Sequence, residues 1–175
     1  MTRVPFLALA GAALLSITTA ALAANDGQTP KSRNPHVLAQ TSCGKDLKNV
    51  EIAQGSGLST DSTTFTDVTG SEVSFNIGGK NDTCVLVNFS AQAFAPASGG
   101  KLMKVRALLD GGVESTDGDI QLVAESGAFS DAHAYNFLFT NVAPGAHSVK
   151  MQFERTSSGT DKVFINQFTA VVYHK

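Results

Sequence analysis

The sequence predicts an all-β protein, an antiparallel β-sandwich of jelly-roll type with about eight strands. Apolar and polar residues alternate in successive short runs, and strands of this kind turn one side to a core and the other to water. Turn-forming residues separate the runs, and no long stretch beyond the N-terminus has the 3.6-residue period of a helix. Half-buried strands need a second sheet to cover the first, so a sandwich follows. An immunoglobulin-like sandwich and an up-and-down barrel are the alternatives.

The strands are predicted one by one from this alternation. Glycine, proline and aspartate mark the connections, as in Asp110-Gly111-Gly112 and Pro144-Gly145. The final run, Val163 to Tyr173, is apolar on both faces near its middle, which predicts a central strand paired on both sides. The alternating runs before it place on one face Val73, Phe75 and Ile77; Val85, Val87, Phe89 and Ala91; Met103, Val105, Ala107 and Leu109; Ile120, Leu122 and Ala124; His133, Tyr135, Phe137 and Phe139; and His147, Val149, Met151 and Phe153.

The N-terminus has the features of a cleavable secretory signal over residues 1–23. Arg3 supplies the positive charge, an apolar stretch follows from Val4 to Ile17, and Ala21-Leu22-Ala23 offers small residues for the peptidase. The apolar core is about 14–15 residues, short of the roughly 20 that span a bilayer. We therefore expect an exported protein of the periplasm, the cell surface or the medium, with no membrane span in the mature chain.

The rest of the chain is predicted to hold one domain. Residues 24–49 have two prolines and no apolar periodicity, which predicts a loosely ordered N-terminal segment. The β-sandwich is expected over residues 50–175. The formal net charge of −2 becomes −3 once Arg3 is removed with the signal. A mildly acidic chain argues against a nucleic-acid partner, since neutralising phosphates requires a basic face. The oligomeric state is not predicted.

Two cysteines, Cys43 and Cys84, predict one structural disulfide. Exported proteins meet oxidising surroundings, and an even number of cysteines leaves none unpaired. The bond would close a loop of about 42 residues, worth roughly 4 kcal/mol in the chain-entropy model. A redox or metal pair is the alternative, but the spacing is not that of a C-x-x-C motif.

One acidic loop is the candidate metal site. Asp110, Glu114, Asp117 and Asp119 lie within ten residues among glycines, and calcium prefers several oxygens on a flexible loop. The spacing does not match an EF-hand, so a solvated connection between strands is the alternative. His133 and His147 would form a zinc site only if they faced each other across adjacent strands. No G-x-S-x-G nucleophile motif and no phosphate-binding glycine loop is present.

Three segments carry a resemblance to known proteins. Val142–Met151 has the form P-G-x-H-x-V and resembles the penultimate hairpin of secreted β-sandwich modules, including jelly-roll carbohydrate-binding modules. Val85–Ala91 and Val105–Gly111 are similar to stretches of exported bacterial sandwich proteins. The resemblance covers about residues 72–173 and implies the fold. It assigns no ligand residues, because function depends on a site and not on a fold.

The sequence therefore favours a non-catalytic exported β-sandwich that binds a glycan or a protein, or that assembles at the cell envelope. The chain has no tryptophan and only two tyrosines for stacking on sugars, so a sugar site would rely on polar side chains, with or without calcium. The alternative is a small secreted hydrolase acting on a polysaccharide or an ester. A flat face with a row of polar groups would favour binding, and a long exposed apolar edge would point to assembly.

Overall fold

The structure, a computed structural model, describes residues 47–96, 103–123, 130–156 and 162–175. The predicted signal and most of the predicted N-terminal segment lie outside these residues, as does Cys43. In the described part of the chain no helix is long and apolar enough to cross a membrane. The strands in this part are β1 (Asn49–Thr60), β2 (Thr66–Asp67), β3 (Val73–Ile77), β4 (Thr83–Phe94), β5 (Met103–Leu109), β6 (Val113–Glu114), β7 (Ile120–Val123), β8 (Asp131–Val142), β9 (Gly145–Arg155) and β10 (Val163–His174).

The strands form two antiparallel sheets, which confirms the predicted sandwich. The first sheet has the order β1-β10-β4-β8. In the second sheet β9 pairs with β2, β3 and β5, and β5 also pairs with β6 and β7. β2 and β6 are only two residues long, so eight of the described strands, each of four or more residues, carry the fold.

The pairing of these eight strands is that of a jelly roll. The first pairs with the last (β1 with β10), the second with the next to last (β3 with β9), the third with β8 and the fourth with β7. This nested order is what results when one long antiparallel ribbon folds over into two facing sheets. As predicted, β10 is a central strand, paired with β1 on one side and β4 on the other.

The core lies between the sheets and is built from the inward half of each alternating run. In β4 and β5 every predicted inward residue is buried. Phe89 and Phe137 are the largest fully buried side chains, with Met103 and Met151 packed in the same cluster. In β8 the alternation predicts burial only in the second half of the strand, because Phe137 and Phe139 are buried whereas Tyr135 is exposed.

The Pro144-Gly145 turn differs from the expectation taken from the resemblance. It was expected to close a hairpin, but β8 belongs to the first sheet and β9 to the second. The turn therefore carries the chain from one sheet to the other. Gly145 has a φ of 142°, a conformation that L side chains rarely adopt, which explains the need for glycine at this crossing.

Candidate functional site

The outer surface of the first sheet bears no charged side chain over four consecutive cross-strand rows. Each row takes one residue from β1, β10, β4 and β8, and the side chains of directly opposite residues lie on the same face. We call this surface the uncharged face. Its rows are Val50, Tyr173, Leu86 and Leu138; Ile52, Val171, Asn88 and Asn136; Gln54, Thr169, Ser90 and Ala134; and Ser56, Gln167, Gln92 and Ala132.

Two adjoining shallow recesses occupy the polar half of the uncharged face. One, of about 280 Å³, lies between β8 and β10 and has Ser90 and Gln92 on its floor. The other, of about 390 Å³, lies between β1 and β10 and includes Gln54 and Ser56. Gln167 and Thr169 line both recesses. The recess beside β8 owes its depth to small side chains, because Ala132 and Ala134 stand where longer residues would fill it.

The polar side chains of this face are amides and hydroxyls, which both donate and accept hydrogen bonds. The Gln54 side-chain amide lies 3.4 Å from Thr169 Oγ1, and Asn88 Nδ2 donates to Asn136 Oδ1 at 2.8 Å. Among the described residues, the side chains of Gln92 and Gln167 have no hydrogen-bond partner, and Gln54 has only the 3.4 Å contact with Thr169. The rows near the two recesses are therefore equipped to contact hydroxyl groups.

Aromatic rings flank the polar rows at both ends. Tyr173 lies in the first row, and Phe94 and Phe164 follow the fourth row on the same side of the sheet. The two phenylalanine rings stack with centroids 4.8 Å apart and planes tilted by 8°. Both are half-buried. The sequence did not place Phe94 or Phe164. Phe94 continues the outward alternation of β4, whereas an irregularity of β10 between Ile165 and Gln167 turns Phe164 to the same side.

The outer surface of the second sheet, which we call the charged face, is built differently. Lys150 Nζ lies 2.9 Å from an Asp67 carboxylate oxygen, and Lys104 Nζ lies 2.7 Å from Asp119. Arg106 pairs with Glu114, and its guanidinium also lies 4.1 Å above the ring centre of Phe65. Hydrogen bonds from Gln152 and Lys150 lower the pKa of the Asp67 carboxyl.

The four acidic residues predicted as a calcium site have separate surroundings. Glu114 pairs with Arg106 and Asp119 with Lys104 on the charged face. Asp110 and Glu114 line a common recess of about 350 Å³, which Asp117 and Asp119 do not line. Asp117 acts instead on Tyr135, whose hydroxyl pKa is raised by burial and by this carboxylate. Across the described residues, no three His, Cys, Asp or Glu side chains are grouped to hold a metal ion.

Asp110 binds the strand that follows the β8–β9 turn. Its backbone is left-handed, with φ of 51°, as the predicted Asp-Gly-Gly turn requires. One carboxylate oxygen accepts the Ser148 N–H at 2.9 Å, and the other lies 2.8 Å from Nδ1 of His147. Burial raises the pKa of the Asp110 carboxyl, but these two hydrogen bonds lower it by more, so the net pKa lies below the usual value.

His147 has acceptors at both ring nitrogens. Nδ1 meets Asp110, and Nε2 lies 2.8 Å from the carbonyl oxygen of Ala143. Burial lowers the pKa of the imidazole, but the bonds to Asp110 and Ala143 raise it by more, so the cation is favoured. A histidine whose two nitrogens are both engaged in this way has no free nitrogen to accept a proton from a nucleophile. The pair therefore holds a turn.

The zinc hypothesis for His133 and His147 is wrong in its geometry. His133 lies on β8 opposite Ala91 of β4, in the first sheet. His147 lies on β9 opposite Phe75 of β3, in the second sheet. A shared zinc ion would require the two histidines to face each other across adjacent strands. The crossing at Pro144-Gly145 places them in different sheets instead.

Comparisons with known proteins yield only distant structural likenesses. No family model matches the chain, and the search of curated proteins gave no match. One solved structure is a 4-O-methyl-α-glucuronidase with specificity for decorated arabinogalactans, with TM-score 0.37 and 16% identity over 59% of this chain and 13% of that one. Another is the VP2 subviral particle of infectious bursal disease virus, with TM-score 0.45 and 10% identity over 72% of this chain and 32% of that one.

The chain thus spans about a third or less of these solved chains. At TM-scores below 0.5, such likenesses identify neither a shared family nor a shared ligand.

Proposed function

We propose that this protein is an exported, non-catalytic binding module that takes a neutral glycan on the uncharged face. One observation carries the proposal: four rows of outward side chains without a charge, with three glutamines around two open recesses. A sugar chain presents many hydroxyls and no charge, so amides and hydroxyls that donate and accept are its natural partners. Charged polysaccharides would find one ionisable group, His133, among the side chains that line the two recesses.

The shape of the recesses favours an extended polymer over a small molecule. Sites for small ligands are concave and bury 70–90% or more of the ligand surface in a typical case. The two recesses are shallow and adjoin along the side chains of β10. A chain lying across the strands would contact Gln54, Gln167 and Gln92 in turn, with Phe94 and Phe164 at the border of the site. The hydrophobic sides of sugar rings pack well against such aromatic groups.

Binding to immobilised or soluble polysaccharides tests the proposal. The full chain is compared with the double variant Gln92→Ala, Gln167→Ala on neutral glucans, mannans and galactans and on uronate-containing polymers. We expect binding to at least one neutral class. We expect the double variant to bind it about tenfold more weakly, because each lost hydrogen bond is worth about 0.5–1.5 kcal/mol.

The matched control is Gln121→Ala. Gln121 is an exposed glutamine on β7 of the second sheet, so its removal should leave binding unchanged. The proposal is wrong if no neutral glycan binds, or if the uronate polymers bind better than every neutral one. It is also wrong if the double variant and the control bind equally well.

Export and the Cys43–Cys84 bond belong to the same proposal. Cys84 is buried at the start of β4, where a bond to residue 43 would tie the segment before β1 to a central strand. Export is supported by the N-terminal charge, apolar run and small-residue site. We expect the mature protein to begin near residue 24 and to have no thiol that reacts before reduction. Mass spectrometry of the exported protein, with and without a reductant, measures both.

A further inference from the structure

Strand β1 is an edge of the first sheet and has few features that would prevent another strand from pairing with it. β10 covers one side of it along Asn49–Thr60, and no other described strand pairs with its second side. Proteins guard such edges with lysine, proline, bulges or very short strands. β1 is twelve residues long and has no lysine or proline, and Glu51 is its one charged residue. Ile52 is 60% exposed and Val50 is 47% exposed.

We propose that a second copy of this chain pairs with this edge, β1 against β1, around a two-fold axis at Ile52. The pairing is antiparallel, as a two-fold axis across a strand edge requires, so the same surface serves both subunits. It joins the two first sheets into one sheet of eight strands. The segment that pairs is Asn49–Gly55, because Gly57, with φ of 72°, turns the chain out of the extended conformation just beyond it.

Charge and hydrophobicity select this register. An axis at Glu51 would set two carboxylates directly opposite each other, which destabilises a strand pair. An axis at Ile52 moves each Glu51 opposite the Ala53 of the other subunit. It also sets the two Ile52 side chains together, so the most exposed aliphatic residue of the edge gains an apolar partner on the uncharged face.

A second copy suits this edge better than a partner of another chemistry because the surface beside it is uncharged. Two copies with a net negative charge repel each other wherever acidic groups face one another. Here the nearest outward neighbours on β10 are Val171 and Tyr173, so the two uncharged faces continue into each other without like charges. The dimer would carry two sets of recesses on one sheet. A polymer that reaches both sets would bind the dimer more tightly than it binds a single subunit.

Paired charge variants test both the dimer and its register. The axis at Ile52 sets Val50 of one subunit opposite Gln54 of the other. In Val50→Lys with Gln54→Glu, each introduced ammonium faces an introduced carboxylate across the axis. In Val50→Lys with Gln54→Lys, ammonium faces ammonium. Within one chain the two positions lie about 13 Å apart along the strand, so the two variants differ chiefly at the interface.

The measurement is the dissociation constant of the full chain from sedimentation or light scattering over a concentration series. We expect a dimer for the wild type, retention of the dimer in the Lys/Glu variant, and at least tenfold weaker association in the Lys/Lys variant and in Ile52→Lys. Val113→Lys is the control, because Val113 is equally exposed but lies on β6 of the second sheet. Circular dichroism verifies that each variant is folded.

A monomeric wild type overturns the inference, as does equal dissociation of the Lys/Glu and Lys/Lys variants. Hydrogen exchange distinguishes one further case. Alternate amides of residues 49–55 already bond β10, so a monomer in which the amides that point away from β10 are protected as well would mean that another part of this chain covers the edge, which also overturns the inference. The Gln92→Ala, Gln167→Ala variant should still dimerise, so loss of glycan binding and loss of the dimer are separate failures.

Discussion

The two outer faces of this sandwich have the same structural position but opposite chemistry, because one is charged and the other is not. Both belong to strands that alternate buried and outward residues, and both lie over one core. The face of the second sheet carries ion pairs such as Lys150–Asp67 and Lys104–Asp119. The face of the first sheet carries none over four rows. Alternation explains why one side of each strand points outward. The residue types at these outward positions decide whether a face is charged or uncharged.

A face of paired charges is strongly hydrated and resists association, because any partner would have to displace the water bound to the charged groups. A face of amides, hydroxyls and aliphatic groups is cheaper to desolvate and can pair with another surface of the same kind. We therefore expect the charged face to keep the protein dispersed and the uncharged face to be the one that a ligand or a second copy covers.

Replacing Gly55 should disturb the support of the uncharged face most strongly. A Cβ at this position would clash with the ring of Phe168, the residue opposite it on β10. Gly55→Ala should lower the free energy of unfolding by about 1–3 kcal/mol, as overpacking of a core does. Chemical denaturation measures this change. Gly112→Ala is the control, because nothing lies within 4 Å of its added Cβ and its φ is not positive. Equal stability of the two variants would contradict the contact with Phe168.

The His147–Asp110 pair at the end of the second sheet should make stability depend on pH. The folded-state pKa of His147 is raised above 6.5, so its contribution is complete below that pH and is lost as the pH rises through the folded pKa. The pKa of Asp110 is lowered below 3.8, so its contribution is present above that value and is lost on acidification. The pair therefore stabilises most between about pH 4 and pH 6.5.

His147→Gln should remove the upper part of this profile. Because the Asp110 side chain is half exposed, we expect a loss of about 1 kcal/mol or less at pH 5.5, shrinking at pH 9. Denaturation of wild type and variant at the two pH values gives the difference. A variant that is equally destabilised at both would mean that the imidazole acts by packing against Phe75 and not through its charge.

Lys150→Gln tests the charged face itself and should have the smallest effect. The ion pair with Asp67 is partly exposed, so we expect at most about 0.5 kcal/mol, reduced further in high salt. The pKa of Asp67 should rise part of the way towards its ordinary value, because the hydrogen bond from Gln152 is retained. Carbon-detected NMR titration follows that carboxyl. A loss of more than about 1 kcal/mol would show that the charged face contributes to folding and not only to dispersion.

The sequence by itself determined most of the strands and most of their buried residues. The alternation in β3, β4, β5 and β9 predicted their inward faces, and the two-sided apolar character of β10 predicted a central strand. These are properties of neighbours along the chain, because successive side chains of a strand point to opposite sides. The Asp110-Gly111 turn was readable for the same local reason.

The grouping of strands into sheets was decided by tertiary structure alone. His133 and His147 are close in sequence yet lie in different sheets, whereas Gln54 and Thr169 share one recess although more than a hundred residues separate them. Each outward run of β1, β4, β8 and β10 reads as an ordinary polar or apolar side. Only their lateral pairing assembles one surface without charge and leaves β1 at its edge, because pairing depends on contacts between distant segments that no local pattern encodes.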